Sequence, residues 1–144
     1  MSAENRKLAS LWVKRCCRDR VFGQGDIVYL SFDPLAGHEQ RGMRPAVIVS
    51  TGTFNKFTRL ALVCPSTSTH RAFPLHVGLD SSTTTSGVIM CEQVKALDVI
   101  ARNATFFEQV PQDILREVVD IIVSFVEEQS QRCWQSAARV GSSE

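Results

Sequence analysis

The spacing of the apolar residues changes once along this chain, and that change restricts the folds open to it. Up to residue 100 the apolar residues occur in short runs separated by glycine, proline and polar turns, which is typical of short β-strands. From residue 114 to residue 126 they recur every three or four positions, as on one face of an α-helix. The sequence therefore predicts a mainly β fold with helices (α+β), in which one C-terminal amphipathic helix caps a small antiparallel sheet or barrel.

The runs that are predicted to form strands are residues 27–32, 46–50, 60–64, 73–79, 88–91 and 94–100. Pro65 is expected to end the third strand, because proline has no backbone N–H to donate to a ladder. Pro111 is predicted to lie in the first turn of the helix, where a missing N–H costs little. The segment with Phe54 and Phe57, between the second and third strands, is assigned to a loop.

Charge divides the chain into three parts. Residues 1–20 carry six basic and two acidic side chains, whereas the whole chain has a net charge of only +1. This basic N-terminal extension is interpreted either as a short amphipathic helix or as a partly ordered leader. Residues 21–128 form the predicted domain, and residues 129–144 form a polar C-terminal tail. Because the chain as a whole is nearly neutral, any nucleic-acid site must be a local basic patch.

Five cysteines without a Cys-x-x-Cys pair argue against a disulfide framework and against a zinc site. Cys64 and Cys91 lie in apolar runs and are expected to pack in the core. No apolar run approaches the roughly 20 residues of a membrane-spanning helix, and no secretory signal is visible. We therefore expect a cytoplasmic protein that is not associated with a membrane and holds no metal.

Residues 37–45, between the first two predicted strands, concentrate reactive side chains. The segment contains an imidazole, a carboxylate, a carboxamide and two guanidinium groups, and its two glycines permit unusual backbone angles. It is also longer than a tight hairpin needs. From spacing alone two interpretations stand: a solvated loop or a functional site.

Several short motifs follow one another along the chain: Gly25-Asp26-Ile27, Phe32-Asp33-Pro34, Gly37-His38-Glu39-Gln40, Arg44-Pro45-Ala46-Val47, Phe54-Asn55, Pro65-Ser66-Thr67-Ser68, Gly87-Val88, Glu92-Gln93-Val94 and Ala101-Arg102. Each is weak alone, but in this order they resemble the PemK/Kid/MazF toxin family. The resemblance covers residues 22–128, which is the predicted domain without its two tails.

The resemblance implies an SH3-like antiparallel barrel of the MazF/CcdB type. It also implies the toxin of a bacterial toxin–antitoxin pair, a metal-independent and sequence-selective endoribonuclease that cleaves single-stranded RNA (mRNA). The expected products are a 2′,3′-cyclic phosphate and a 5′-hydroxyl. The expected assembly is a homodimer without a cofactor, and a separate antitoxin protein is expected to cover its RNA groove.

Attack by a ribose 2′-hydroxyl needs a base, an acid for the departing 5′-oxygen and donors that neutralise the phosphorane. Arg44 is assigned to the phosphate, since a guanidinium can bind two of its oxygens at once. Thr67 resembles the family threonine that hydrogen-bonds the scissile phosphate. Glu39, His38 and Glu92 are the candidates for the base and the acid, and the sequence leaves the division between them open.

Other polar and basic residues of the matching segments are predicted to contact RNA: Gln40, Ser66, Ser68, His70, Arg71, Asn55, Lys56 and Gln93. The aromatic residues Phe54 and Phe57 are interpreted either as a stacking surface for bases or as dimer packing. Glu92 and Gln93 fit a structural hydrogen-bonding pair equally well, and His76 is expected to be structural.

One motif departs from the Kid branch of the family, in which an Arg-Cys-Asp-Gln string supplies an arginine acid and an aspartate base. This chain reads Met90-Cys91-Glu92-Gln93, and a methionine cannot donate a proton. Two alternatives are therefore kept: a non-nuclease toxin of the gyrase-poison type on the same fold, and a catalytically inactive relative that binds RNA or antitoxin.

Overall fold

The structure is a computed structural model that describes residues 21–32 and 42–128. The predictions of a basic N-terminal extension and of a polar C-terminal tail fall on residues outside the described part. Within that part, no helix is both long enough and apolar enough to span a membrane.

Short strands form one antiparallel sheet: β1 (Asp26–Ser31), β2 (Met43–Ile48), β3 (Ala61–Thr67), β4 (His76–Gly78), β5 (Val88–Met90), β6 (Lys95–Leu97) and β7 (Thr105–Gln109). Hydrogen-bonded neighbours follow the order β4-β5-β3-β2-β1-β7, and β6 pairs with β3 on the same edge as β5. The helices are α1 (Gly52–Thr58) and α2 (Gln112–Val126), and a 3-10 turn covers Cys91–Gln93. The predicted α+β class is confirmed, although the strands of residues 21–32 and 42–128 do not close into a barrel.

Alternation along the strands gives the sheet two apolar faces. The face covered by α2, which we call the helix face, holds a cluster built from Ile27, Val47, Cys64, Val77, Ile89, Ile114, Leu115 and Val118. The opposite face, which we call the inner face, holds a second cluster built from Phe22, Val28, Leu30, Phe32, Ala46, Ile48, Ala61, Val63 and Val99. Neighbouring buried residues of β1, β2 and β3 therefore belong to opposite faces.

The C-terminal helix forms as predicted, with a buried stripe of Ile114, Leu115 and Val118 against the helix face. Pro111 immediately precedes the first helical residue rather than lying inside the first turn. The expected apolar face is not buried over its whole length, because Phe125 and Val126 are 42% and 83% exposed. The last turn thus extends beyond the edge of the core.

Pro65 does not end the third strand, and that prediction is wrong. β3 continues to Thr67 and passes through Pro65, which pairs with Ala46. The reason lies on the other edge of β3, where pairing with β6 stops at Val63 and pairing with β5 starts at Ser66. Proline therefore occupies a position where that ladder is already interrupted.

The segment assigned to a loop before β3 is helical. Thr51 caps α1 by accepting a hydrogen bond from the Phe54 backbone N–H at 3.3 Å. Phe54 and Phe57 lie three residues apart on this helix but are 39% and 48% exposed. Because these side chains do not face the core, α1 has no buried apolar stripe from which the sequence could predict a helix.

Candidate active site

The reactive segment predicted between β1 and β2 lies largely outside the described residues, and with it Glu39, His38 and Gln40. The residues that flank it are described. The Phe32 backbone N–H donates to the carbonyl oxygen of Gly42 at 3.2 Å, so the two described residues on either side of positions 33–41 are in contact. Gly42 has φ of 80°, a backbone conformation that glycine adopts without strain. Gly42 is two residues from Arg44 along β2.

Arg44 and Thr67 lie on neighbouring strands and on the same face of the sheet. Ala46 pairs with Pro65 in the antiparallel β2–β3 ladder, and the Ser66 hydroxyl still reaches the Pro45 carbonyl at 3.2 Å. The paired part of the ladder ends there, and extending its register by two residues places Arg44 opposite Thr67. Side chains that face each other in this way have Cβ atoms about 4.5–5.5 Å apart. Both residues are half-buried at the end of the inner face.

The hydroxyl of Thr67 is oriented by the backbone that follows it. The Thr69 N–H donates to Thr67 Oγ1 at 3.3 Å. A hydroxyl that accepts one hydrogen bond keeps its own proton for donation. Thr67 can therefore donate to an anionic oxygen placed beside Arg44.

Gly87 fixes the backbone position of Thr67. Val88 pairs with Thr67 across the β3–β5 ladder, and Gly87 has φ of 111°. A Cβ added at Gly87 would lie 2.0 Å from the Thr67 carbonyl oxygen and 2.9 Å from the Ser68 Cα. Only glycine lets the two backbones approach this closely. The sequence did not indicate this role of Gly87.

The residues around Thr67 divide between core and solvent. Ser66 points to the opposite face, is 2% exposed and uses its hydroxyl on Pro45. Its predicted contact with RNA is therefore not supported. Ser68, His70 and Arg71 are exposed in the segment that leaves β3, where they are accessible to a ligand.

Glu92 forms a pair with His76, which the sequence predicted only as a structural residue. His76 Nε2 lies 2.9 Å from Glu92 Oε1, and the two side chains are 12% and 29% exposed. An ionised carboxylate only accepts, so the imidazole donates through Nε2. The other ring nitrogen, Nδ1, is buried and has no hydrogen-bond partner among the described residues. His76 and Glu92 meet because of the register of β4 and the position of the 3-10 turn after β5. No sequence motif predicts this pair.

Two residues with predicted RNA contacts are less accessible than expected: Asn55 is buried and Gln93 is half-buried. Gln93 directs Nε2 to the Met90 sulfur at 3.6 Å, while its Oε1 is buried. Asn55 is 7% exposed, accepts from the Ser50 hydroxyl and donates to the Phe22 carbonyl at 2.9 Å. The Asn55 amide is thus committed to the fold, and its predicted contact is not supported. Gln93 keeps an oxygen without a hydrogen-bond partner among the described residues, and its RNA contact stays a prediction.

Lys56 is half-buried on α1, the helix that precedes the first residue of β3. Thr67 is the last residue of that strand, so about 20 Å of extended chain separates the two ends. The structure therefore does not bring Lys56 to Arg44 and Thr67 within one chain.

Two basic residues that were not predicted gather near the end of β1. Lys95 Nζ lies 5.8 Å from the centre of the Phe32 ring. Arg102 Nη1 donates to the Ser31 carbonyl at 2.8 Å. Together with Arg44, whose neighbour Met43 pairs with Ser31, they concentrate positive charge where the segment 33–41 begins.

Cys64 and Cys91 are fully buried in the helix-face cluster, as predicted. Burial raises the pKa of the Cys91 thiol to about 12, and the carboxylates of Glu92 and Glu117 add to the rise. Burial also raises the pKa of Cys64 far above its ordinary value, with the nearby carboxylate of Glu92 as a smaller cause. Both thiols therefore stay protonated and serve as packing groups.

Comparison with known proteins matches residues 23–126 to the PemK-like, MazF-like toxins of type II toxin–antitoxin systems. The chain is 42% identical over 100 residues to the endoribonuclease PemK of Escherichia coli, an alignment that covers 67% of this chain and 75% of PemK. It is similar to the crystal structure of MazF from Deinococcus radiodurans, with a TM-score of 0.71, 37% identity and coverage of 75% of this chain and 98% of that one.

A MazE–MazF complex of the same organism matches at a TM-score of 0.67 and 37% identity, covering 75% of this chain and 97% of that one. The predicted MazF-type fold is thus confirmed.

Proposed function

Because the chain belongs to the family of PemK-like, MazF-like toxins of type II toxin–antitoxin systems, we propose that it is a sequence-selective endoribonuclease that cleaves single-stranded RNA. Its relatives PemK, MazF and ChpB of Escherichia coli are endoribonucleases. The observation that carries the proposal is the shared face of Arg44 and Thr67, where a guanidinium and a hydroxyl can reach one phosphate.

In the proposed reaction the ribose 2′-oxygen attacks the adjacent phosphorus. The new O–P bond closes a 2′,3′-cyclic phosphate, the bond to the 5′-oxygen breaks, and that oxygen leaves as a hydroxyl after gaining a proton. Arg44 neutralises the charge that develops on the phosphorane, and Thr67 donates to one of its oxygens. The nucleophile is tethered to its target, which removes much of the entropic barrier. The reaction is therefore proposed to proceed without a metal or other cofactor.

Proton transfer is proposed for Glu39 and His38, which lie between the hydrogen-bonded residues Phe32 and Gly42, with Glu92 as the third candidate. An imidazole and a carboxylate supply a base and an acid near neutral pH. Gln40 of the same segment is proposed to contact the RNA. The exposed residues Ser68, His70 and Arg71 extend this surface along the chain after β3.

The backbone of the RNA is proposed to follow the positive charge of Arg44, Lys95 and Arg102. Basic side chains that contact phosphates give an affinity that falls with salt. The proposed partners are a second copy of the chain and an antitoxin protein, which by analogy with the MazE–MazF complex would cover this surface. We propose that the reaction takes place in the cytoplasm.

A cleavage assay tests the proposal. The purified protein is incubated with labelled mixed-sequence RNA in excess EDTA, beside an Arg44→Ala variant and beside substrates with a single 2′-deoxy sugar at each cut site. We expect RNA cleavage that is insensitive to the chelator and is lost with either change. The product ends should be a 2′,3′-cyclic phosphate and a 5′-hydroxyl.

Cleavage of DNA, or a requirement for a metal ion, would contradict this mechanism. Intact RNA together with a defect in DNA supercoiling would indicate a gyrase poison instead. RNA binding without cleavage would indicate an inactive relative.

A further inference from the structure

We infer that Glu108 is a positioning residue for the proposed reaction: it holds the loop before β5 in place and thereby fixes the backbone of Thr67. The inference rests on the proposed function and adds a residue that the sequence did not single out. Glu108 lies on β7, which is one edge strand of the sheet, whereas β5 lies next to the edge strand on the other side.

The Glu108 carboxylate joins two parts of the sheet that are not neighbours in the strand order. β3, β2 and β1 lie between β5 and β7, which in a flat sheet would separate them by about 19 Å. The carboxylate nevertheless accepts hydrogen bonds from the Thr84 N–H at 3.0 Å, from the Thr85 N–H at 2.7 Å and from the Thr85 hydroxyl at 2.7 Å. The sheet is therefore curved, so that residues 79–87, which we call the 79–87 loop, reach β7.

The 79–87 loop transmits the position of Thr85 to Gly87. The Thr83 hydroxyl donates to the Thr85 carbonyl at 2.8 Å, and the Leu79 N–H donates to the Gly87 carbonyl at 2.9 Å. Thr83 and Thr85 are only 8% and 7% exposed. Because the loop is hydrogen-bonded at its base and in its middle, a displacement of Thr85 also displaces Gly87, two residues further on.

Gly87 and the first residue of β5 lie directly against Thr67. Val88 pairs with Thr67, and a Cβ added at Gly87 would lie 2.0 Å from the Thr67 carbonyl oxygen. β5 has only three residues and pairs with β3 at only two positions. A ladder this short fixes a strand weakly, so the position of Thr67 depends on the hydrogen bonds that hold the 79–87 loop to Glu108.

A carboxylate suits this role better than an amide of the same size. Thr84 donates to Oε2 of Glu108, and both Thr85 groups donate to Oε1, so each oxygen acts as an acceptor. Hydrogen bonds to an ionised carboxylate are about twice as strong as those between neutral groups. In Glu108→Gln the amide nitrogen would replace one acceptor with a donor. The variant therefore loosens the loop without removing side-chain volume.

The test measures kcat and KM for Glu108→Gln in two backgrounds, the wild type and Thr67→Val, on one RNA sequence and at a temperature where every variant is folded. In the wild-type background, kcat should fall about 3- to 10-fold with KM nearly unchanged, because the displaced hydroxyl acts on the transition state. In the Thr67→Val background, Glu108→Gln should cause no further loss, because the hydroxyl that it positions is already absent.

Two further comparisons separate positioning from a loss of stability. Ile121→Val removes a methyl group that packs against the helix-face cluster, so it should lower Tm and leave the kcat of the folded protein unchanged. Thr85→Val removes one hydrogen bond to Glu108 and should reproduce part of the kcat loss, whereas Thr85→Ser keeps the hydroxyl and should retain the wild-type kcat. An effect of stability alone would be as large in Ile121→Val as in Glu108→Gln.

A kcat loss by the same factor in both backgrounds would overturn the inference, and so would an unchanged kcat or a change confined to KM. If the wild type cleaves no RNA, the proposed function fails, and amide hydrogen exchange then decides the inference. Exchange at residues 86–89 should be about 10-fold faster in Glu108→Gln than in the wild type and unchanged in Ile121→Val. Equal exchange in Glu108→Gln and the wild type would overturn the inference.

Discussion

Ser66 and Thr67 are adjacent in β3 but belong to opposite faces of the sheet, and their roles differ accordingly. Ser66 is 2% exposed, and its hydroxyl donates a hydrogen bond to the carbonyl of Pro45. Thr67 is half-buried and holds a hydroxyl that can still donate. The helix face is closed by α2, whereas the inner face ends in polar side chains. Because adjacent strand residues point to opposite faces, Ser66 contributes to the stability of the fold and Thr67 contributes to the proposed chemistry.

The largest effect on the inner face is expected for Arg44→Ala. Losing a donor to a developing oxyanion should lower kcat by about 10²–10³-fold. The free energy of unfolding should change by less than about 1 kcal/mol, because Arg44 lies at the end of the sheet and outside both apolar clusters. RNA cleavage and urea unfolding of the same preparation measure the two effects. Arg116→Ala, on the exposed side of α2, is the control, and equal losses of activity in both variants would contradict the comparison.

A substitution in the core of the helix face should lower stability and leave cleavage nearly unchanged. Leu115 is 4% exposed in the core beneath α2, so Leu115→Ala should lower the free energy of unfolding by about 2–5 kcal/mol. Cleavage per folded molecule at low temperature should stay near the wild-type rate. Denaturant unfolding gives the first value and active-site-normalised cleavage the second. A specific loss of activity with unchanged stability would show that the two faces are not separable.

Gly87→Ala should lower both the cleavage rate and the free energy of unfolding, because Gly87 is packed against the backbone of Thr67. The added methyl group would meet the Thr67 carbonyl oxygen at 2.0 Å, so the strands must separate. A shift of this kind should reduce cleavage about 10- to 100-fold. Gly78→Ala on the neighbouring strand is the matched control, because a Cβ there meets no atom within 4 Å. Equal rates for the two variants would rule out the proposed dependence of Thr67 on Gly87.

The smallest effect is expected at Glu108, whose pKa is set by opposing contributions. Burial would raise it, but hydrogen bonds from the Thr84 backbone and from the Thr85 hydroxyl and backbone outweigh burial and lower the pKa. The stabilisation is therefore present above the ordinary value of 4.5 and is lost as the pH falls through the lowered pKa.

Glu108→Gln should lower Tm by about 2–4 °C at pH 6 and by less as the solution becomes more acidic. Thermal unfolding of both proteins between pH 3 and pH 6 measures the difference. A difference in Tm that grows as the pH falls would contradict the predicted pH dependence.

Elements with a strong apolar period could be predicted from the sequence, and the others could not. The helix predicted over 114–126 is observed as Gln112–Val126, because its stripe is buried in the core. β7 was missed because its adjacent residues Phe106 and Phe107 do not alternate and are both exposed. The passage of β3 through Pro65 depends on where β6 and β5 divide one edge, which is a tertiary property.

The candidate site shows the same limit. Arg44 and Thr67 were identified through a motif, and their common face follows from strand register, which a single sequence does not specify. The pairing of His76 with Glu92 across 16 positions was not predictable from either residue. Asn55 and Ser66 looked like surface polar groups in the sequence, but both are buried and hydrogen-bonded in the fold.

A double-mutant cycle on Arg44 and Thr67 tests most directly whether the two side chains act on one phosphate. The kcat of Arg44→Ala, Thr67→Val and the double variant is compared with the wild type on one RNA sequence. Residues that stabilise the same transition state are strongly non-additive. We therefore expect the double variant to be about as slow as the slower single variant. Losses that multiply would mean that the two residues act independently, and would contradict a shared site.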